Sequence, residues 1–303
     1  MNQTRRQFLT TAGAASAGLL LSSMGAPLEK VTPKKGFALK IYATRWGFKG
    51  TMDAFCKQVK AEGYDGIEDW FPNNIADEEI LYEALDKYNL SYGALAGSSG
   101  KNFAEHKKSY GENLFRALSR KPDFINCHAG KDFFSFEENK LLIDFAIQQS
   151  KTSGIPIYQE THRGRMLFAP HVCSRFIDAF SELKLTLDIS HWCAVAESLL
   201  DDQKETVVKA LERTSHIHSR IGHEEGAQVS EPRAPEWKNA VEAHYTWWDA
   251  VVNQKKENGE VLTMTTEFGP ANYMWTMPYT RQPLANQWAI NVHMMHEWRK
   301  RYL

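Results

Sequence analysis

Glu160, Asp188, His218 and Glu267 each close a short apolar or β-branched run: Ile157-Tyr158-Gln159-Glu160, Leu187-Asp188, His216-Ile217-His218 and Thr265-Thr266-Glu267. Two glutamates, an aspartate and a histidine form a mixed oxygen and nitrogen donor set, which suits one divalent cation such as Mn²⁺, Mg²⁺, Co²⁺ or Zn²⁺. Taken singly, each is more readily a capping or hydrogen-bonding group. Four of them at equivalent positions are harder to read that way. A divalent ion that chelates a carbonyl oxygen and the neighbouring hydroxyl acidifies the C–H on the hydroxyl-bearing carbon, and a carboxylate beside it can take the proton. Glu160 and Glu267 are therefore candidate acid/base groups as well as ligands. Returning the proton to the neighbouring carbon isomerises, returning it to the other face epimerises, and expelling a β-leaving group makes a lyase.

Two further side chains stand near these positions. His128 closes the run Asn126-Cys127-His128, where a hydrogen bond to substrate or to a metal-bound water competes with a buried imidazole satisfied by backbone. Arg220 follows His218 by two residues, where substrate binding competes with a structural ion pair. Aromatic residues follow these and other runs of the same kind: Trp46 and Phe48 after 37–42, Trp70 and Phe71 after 66–68, Trp192 after 185–188, then Tyr273, Trp275 and Tyr279 after 262–267. Such rings can stack on the apolar face of a sugar and keep water from a metal. A subunit interface, and with it a homo-oligomer, is the alternative use of the same rings.

The elements that must carry these residues alternate along the chain. Strands are expected at 37–42, 66–68, 91–96, 124–128, 156–160, 185–188, 216–218 and 262–267. Between them fall amphipathic helices at 52–62, 77–88, 103–118, 136–152, 170–183, 195–213, 237–258 and 284–301, with Met52, Phe55 and Val59 sharing one face of the first. Strict strand–helix alternation argues for a parallel sheet covered by helices, and eight repeats argue for one closed (β/α)8 TIM barrel of the α/β class. In that fold the ends of the strands carry the active face.

Composition narrows the function classes. Hydrophobic residues make up 43 % and charged residues 24 % of the 303, the balance of a folded globular protein. With Lys+Arg 36 against Asp+Glu 37, the molecule has no general attraction for nucleic acid or an anionic membrane. The sequence holds no G-x-G-x-x-G, no G-x-x-x-x-G-K-[ST] and no G-x-S-x-G, so nucleotide cofactors and a serine nucleophile elbow lack support. Cys56, Cys127, Cys173 and Cys193 lack C-x-x-C spacing and read as buried small hydrophobes.

The set of Glu160 in YQETHRGR, Asp188 with His191 in LDISHW, His218 in HIHSR and Glu267 in TTEFGP resembles the xylose-isomerase-like barrel superfamily. That superfamily contains sugar-phosphate isomerases and epimerases, ketose 3-epimerases, inosose dehydratases and type IV apurinic endonucleases. The resemblance spans the chain after residue 36. It implies that Glu160, Asp188, His218 and Glu267 hold one divalent metal, that Glu160 and Glu267 are catalytic, and that His191 contacts substrate. His128, Arg220, Trp46, Trp70 and Trp275 complete the expected substrate-binding set. The expected function is a metal-dependent isomerase or epimerase acting on an unphosphorylated sugar or cyclic polyol, with elimination of the aglycone from a 3-keto-glycoside as the alternative. An apurinic endonuclease would need a D-x-H after the strand-seven histidine, which 221–233 lacks. A non-catalytic sugar-binding protein would have little use for all four ligand types.

The chain opens with Thr4-Arg5-Arg6-Gln7-Phe8-Leu9 and an uncharged run over 10–26 rich in Ala, Gly, Leu and Ser. This resembles a twin-arginine export signal. The run is too short and too rich in Gly, Ser and Thr for a membrane anchor. Residues 1–35 are thus expected to be signal and leader, read by the twin-arginine export machinery, and 36–303 an exported, periplasmic barrel.

Overall fold

A computed structural model describes residues 31–303. Residues 1–30, with Arg5, Arg6 and most of the expected leader, lie outside the described residues. The element order is β1 Ala38–Thr44, α1 Met52–Glu62, β2 Gly66–Trp70, α2 Ile75–Tyr88, β3 Ser91–Gly97, α3 Phe103–Ser119, β4 Phe124–His128 and α4 Phe136–Ser153. It continues with β5 Ile157–Glu160, α5 Pro170–Ala179, β6 Leu185–Leu187, α6 Ser190–Ala196, α7 Lys204–Arg213, β7 Thr214–His218, α8 Lys238–Asn258, β8 Val261–Thr266 and α9 Gln287–Tyr302. All eight strands pair in parallel in chain order, and β1 pairs with β8 from Ala38↔Val261 to Ala43↔Thr266, closing the barrel. The fold is the expected (β/α)8 TIM barrel.

Local chemistry sets the helix ends. The side chains of Thr51, Asn74 and Asn102 accept from the backbone N–H of Ala54, Asp77 and Glu105, and Ser135 with Glu138 forms a reciprocal capping box at the start of α4. The expected helix over 195–213 is two helices. Glu197 and Leu200 adopt left-handed backbone at φ 49° and 61°, and Leu200 is buried at the break, its N–H donating to Ser198 Oγ. Splitting the segment lets α6 begin at Ser190, two residues after Asp188, while α7 packs against α5 on the outside.

Apolar residues fill the space between sheet and helices, among them Ile41, Ile67, Ile125, Ile217 and Met264, all fully buried. All four cysteines are buried thiols. The inward-facing layer is different. Barrel interiors are ordinarily packed with branched apolar side chains, whereas here Glu68, Asn126, Glu160, His216, His218 and Thr265 meet inside. Strand alternation puts His216 and His218 on the same face of β7, as it does Thr263 and Thr265 on β8. A register shift between β6 and β7 at Leu185/Thr186 inserts Ser215 ahead of His216.

The loop after β7 is held from outside the barrel. Gly222 packs so closely on α6 that a Cβ there would lie 2.6 Å from the Ser190 carbonyl oxygen. Its N–H donates to Nε2 of His244 on α8 at 3.1 Å, and His244 Nδ1 donates to the Ala240 carbonyl at 2.8 Å. This imidazole must be neutral, and burial lowers its pKa from 6.5 to about 4. A depressed pKa means that the stability it supplies is complete above pH 6.5 and lost as pH falls toward 4. His244→Gln, which keeps an acceptor for Gly222, is expected to flatten that part of the pH profile of thermal unfolding relative to wild type.

Candidate metal and substrate site

The four expected ligands converge. Glu160 and His218 are the last residues of β5 and β7, and Asp188 and Glu267 are the first residues after β6 and β8. One donor atom from each lies within 4.8 Å of all the others, and all four residues are buried. His218 Nδ1 is 3.0 Å from Glu267 Oε2 and 3.7 Å from Glu160 Oε1. Neither His218 Nδ1 nor Glu160 Oε1 has a hydrogen-bond partner, although both are buried. Buried polar atoms are rarely left so. With Glu68 next to them, four carboxylates share this space against one guanidinium, that of Arg220, and the His218 imidazole. Unsatisfied donors facing one point, in an excess of buried negative charge, fit a divalent cation.

The electrostatics follow from that crowding. Burial alone would lower the His218 pKa, but Glu267, Glu68 and Glu160 raise it well above the ordinary histidine range. Burial raises the Asp188 carboxyl above its ordinary range, against the pull of Arg220. Arg220 is itself buried and donates to Asp188 Oδ2, to His191 Nε2 at 2.7 Å and to Ser190 Oγ at 3.2 Å. Its guanidinium lies 4.6 Å from the Tyr273 ring centre. The ion-pair alternative for Arg220 is thus realised, while the same side chain also lines the cavity above.

That cavity, of about 400 Å³, opens over the ligand set. Trp46, Phe48 and Trp70 form its walls together with Tyr273, and His128, His162 and Glu267 reach into it. Trp46 meets Tyr273 edge-on at 5.1 Å, and Trp70 meets His128 edge-on at 5.2 Å. Gly269 makes room for Trp46, since a Cβ would stand 2.3 Å from its ring. His128 Nε2 touches Glu160 Oε2, which also accepts from Asn126 Nδ2 at 2.8 Å. His191 lies beneath His162, ring centres 3.8 Å apart, and burial holds its pKa well below the ordinary value. Burial likewise lowers His162 to about 3, so it is neutral.

Four of the expected aromatic positions are elsewhere: Phe71 is buried in the core, Tyr279 is exposed to solvent, and Trp275 and Trp192 also lie outside the cavity. Trp275, 43 % exposed, packs on Trp237 and His223 at 5.7 and 6.0 Å, outside the cavity, because the loop after β8 turns Tyr273 inward instead. Trp192 is fully buried in the core, its Nε1 donating to the Leu167 carbonyl at 2.9 Å. Glu68, Asn126, His162 and His216 join the site without being marked out by the strand-end pattern. Glu68 and Asn126 carried a signal, each a polar residue flanked by apolar ones in Gly66-Ile67-Glu68 and Ile125-Asn126-Cys127.

No family model matches the sequence, and no curated protein matches it. Solved structures do. The 3-keto-D-glucoside 4-epimerase of E. coli aligns with a TM-score of 0.59 at 15 % identity, covering 87 % of this chain and 100 % of that one. The D-allulose 3-epimerase of Methylomonas sp. aligns at 0.58 and 16 %, covering 90 % and 100 %. A xylose isomerase-like TIM barrel protein of Mycobacterium smegmatis, in complex with magnesium, aligns at 0.52 and 12 %, covering 77 % and 91 %. At such identities the likeness establishes the fold.

The Arg220–Asp188 pair generates a stability prediction. Removing one partner of a buried pair strands the other charge. Arg220→Ala is expected to cost about 3–5 kcal/mol in urea unfolding with chelator present. Adding Asp188→Asn should restore part of that loss, because the stranded charge is gone.

Proposed function

We propose that the protein is a divalent-metal-dependent sugar isomerase or epimerase that acts by proton abstraction next to a carbonyl on an unphosphorylated sugar or cyclic polyol. The observation that carries this reading is the convergence of Glu160, Asp188, His218 and Glu267 beneath an aromatic-walled cavity. A bound divalent ion would polarise the substrate carbonyl and neighbouring hydroxyl. The rings of Trp46, Trp70 and Tyr273 line the cavity, where a sugar ring would pack against them. The arginines lining it, Arg45 and Arg220, are already paired with Asp69 and Asp188, which favours a neutral sugar over a phosphorylated one.

Glu267 borders the cavity directly and is the candidate base for one side of the substrate. Glu160 is buried behind His128, whose imidazole touches it and reaches the cavity, so a proton can pass between this pair and the substrate from another side. The E. coli structural neighbour is named for a 3-keto-glucoside. Supported by that, the second reading is elimination of the aglycone from a 3-keto-glycoside at the same site, beginning with the same proton abstraction. We place the enzyme in the periplasm, on the strength of the leader around Arg5 and Arg6.

The test is solvent deuterium exchange. Incubated in D₂O with divalent metal and a panel of free ketoses and 3-keto-glucosides, the protein is expected to place deuterium on the carbon beside the carbonyl. Glu267→Gln should slow that exchange by about 10²–10⁴-fold. Release of aglycone would select the lyase, and exchange of no substrate by the metal-loaded protein would remove both readings.

A further inference from the structure

Glu68 has no place in the ligand set, yet it sits at the centre of the polar floor beneath it. The residue is 1 % exposed. Its carboxylate accepts from Thr265 Oγ1 and from Asn126 Nδ2 at 3.1 Å, and lies 3.2 Å from His216 Nε2 and 3.0 Å from His218 Nε2. One assignment of hydrogens satisfies all of the contacts to Glu68. Asn126 has two amide hydrogens, and its nitrogen stands within bonding distance of two carboxylates, Glu68 and Glu160. Both hydrogens are used there, so Asn126 has none to give His218 Nε2, 3.2 Å away. His216 Nδ1 is 2.7 Å from Thr263 Oγ1, so the hydroxyl can donate to it and leave Nε2–H pointing at Glu68. The remaining acceptor site of Glu68 faces His218 Nε2. His218 Nδ1 faces Glu160 and Glu267 and has no hydrogen-bond partner.

We propose that Glu68 is a positioning residue that holds His218 in the Nε2–H form, aimed so that the Nδ1 lone pair is presented to the divalent ion. A histidine ligand whose second nitrogen donates to a carboxylate is fixed in tautomer and ring orientation and is a stronger donor for it. Here the carboxylate comes from β2, on a strand that contributes no ligand, and Asn126 ties it to Glu160. Glu68 thereby couples two of the four ligands from below. This rests on the reading of His218 as a ligand.

The test is nitrogen-15 NMR of the histidine rings in zinc-loaded protein, with zinc affinity measured by competition against a chromophoric chelator. In wild type, His218 is expected to carry its proton on Nε2, with that proton shifted downfield by the carboxylate and Nδ1 bound to zinc. Glu68→Gln, folded by circular dichroism, should move the Nε2–H resonance upfield and weaken zinc binding by about 10–100-fold. Zinc on Nε2 in wild type would overturn the proposal, and that measurement needs no variant. A folded Glu68→Gln with zinc affinity within twofold of wild type would also overturn it. Wild type that binds no zinc or other divalent ion would instead overturn the ligand reading beneath it.

Discussion

Buried carboxylates in a low-dielectric space are tolerated only where positive charge or hydrogen-bond donors meet them. Between the mouth and the floor of this barrel Glu160, Asp188, Glu267 and Glu68 are brought together, met by the Arg220 guanidinium and by the hydrogen-bonding side chains of His218, Asn126 and Thr265. Much of the surrounding structure serves that balance. Asn126 divides its amide hydrogens between Glu68 and Glu160, Thr265 also donates to Glu68, and Arg220 clamps Asp188 against Ser190 and His191. What the protein groups leave over is negative charge and unpaired donor atoms pointing at one place.

The barrel supplies the rigidity this arrangement needs. Every candidate ligand sits at or just past the end of a strand whose neighbours on both sides fix its register, so the side chains approach with little freedom to separate. The layers outward from the ligands are distinct. Below lies the polar floor around Glu68 and His216, above lie the rings of Trp46, Trp70 and Tyr273, and outside lies the apolar packing between sheet and helices. The loop after β7 links the layers, since Gly222 rests on α6 and on His244 of α8 while Arg220, two residues earlier, reaches Asp188.

Most of this was legible in the sequence. Short apolar and β-branched runs ending in Glu160, Asp188, His218 and Glu267 pointed to side chains that the fold brings together, because a parallel barrel makes strand ends equivalent. The helix over 195–213 was misread as continuous because no glycine or proline marks the break, and non-glycine residues at Glu197 and Leu200 take up left-handed backbone instead. Trp275 was misplaced because a long loop after β8 has no periodicity from which to decide which ring turns inward. Glu68 was passed over for a different reason. A carboxylate in mid-strand at 66–70 has no partner nearby in sequence, and its partners Asn126, His216 and His218 come from strands two and five positions further along the barrel.

The central claim is that the four strand-end residues form one divalent metal site. Metal content after dialysis against Mn²⁺, Mg²⁺, Co²⁺ or Zn²⁺ tests it most directly, in wild type and in Glu160→Gln and Glu267→Gln variants shown to be folded. One divalent ion per chain in wild type, lost or greatly weakened in both variants, is the expected result. A wild-type protein that retains no divalent ion, or variants that retain it as tightly as wild type, would contradict the account.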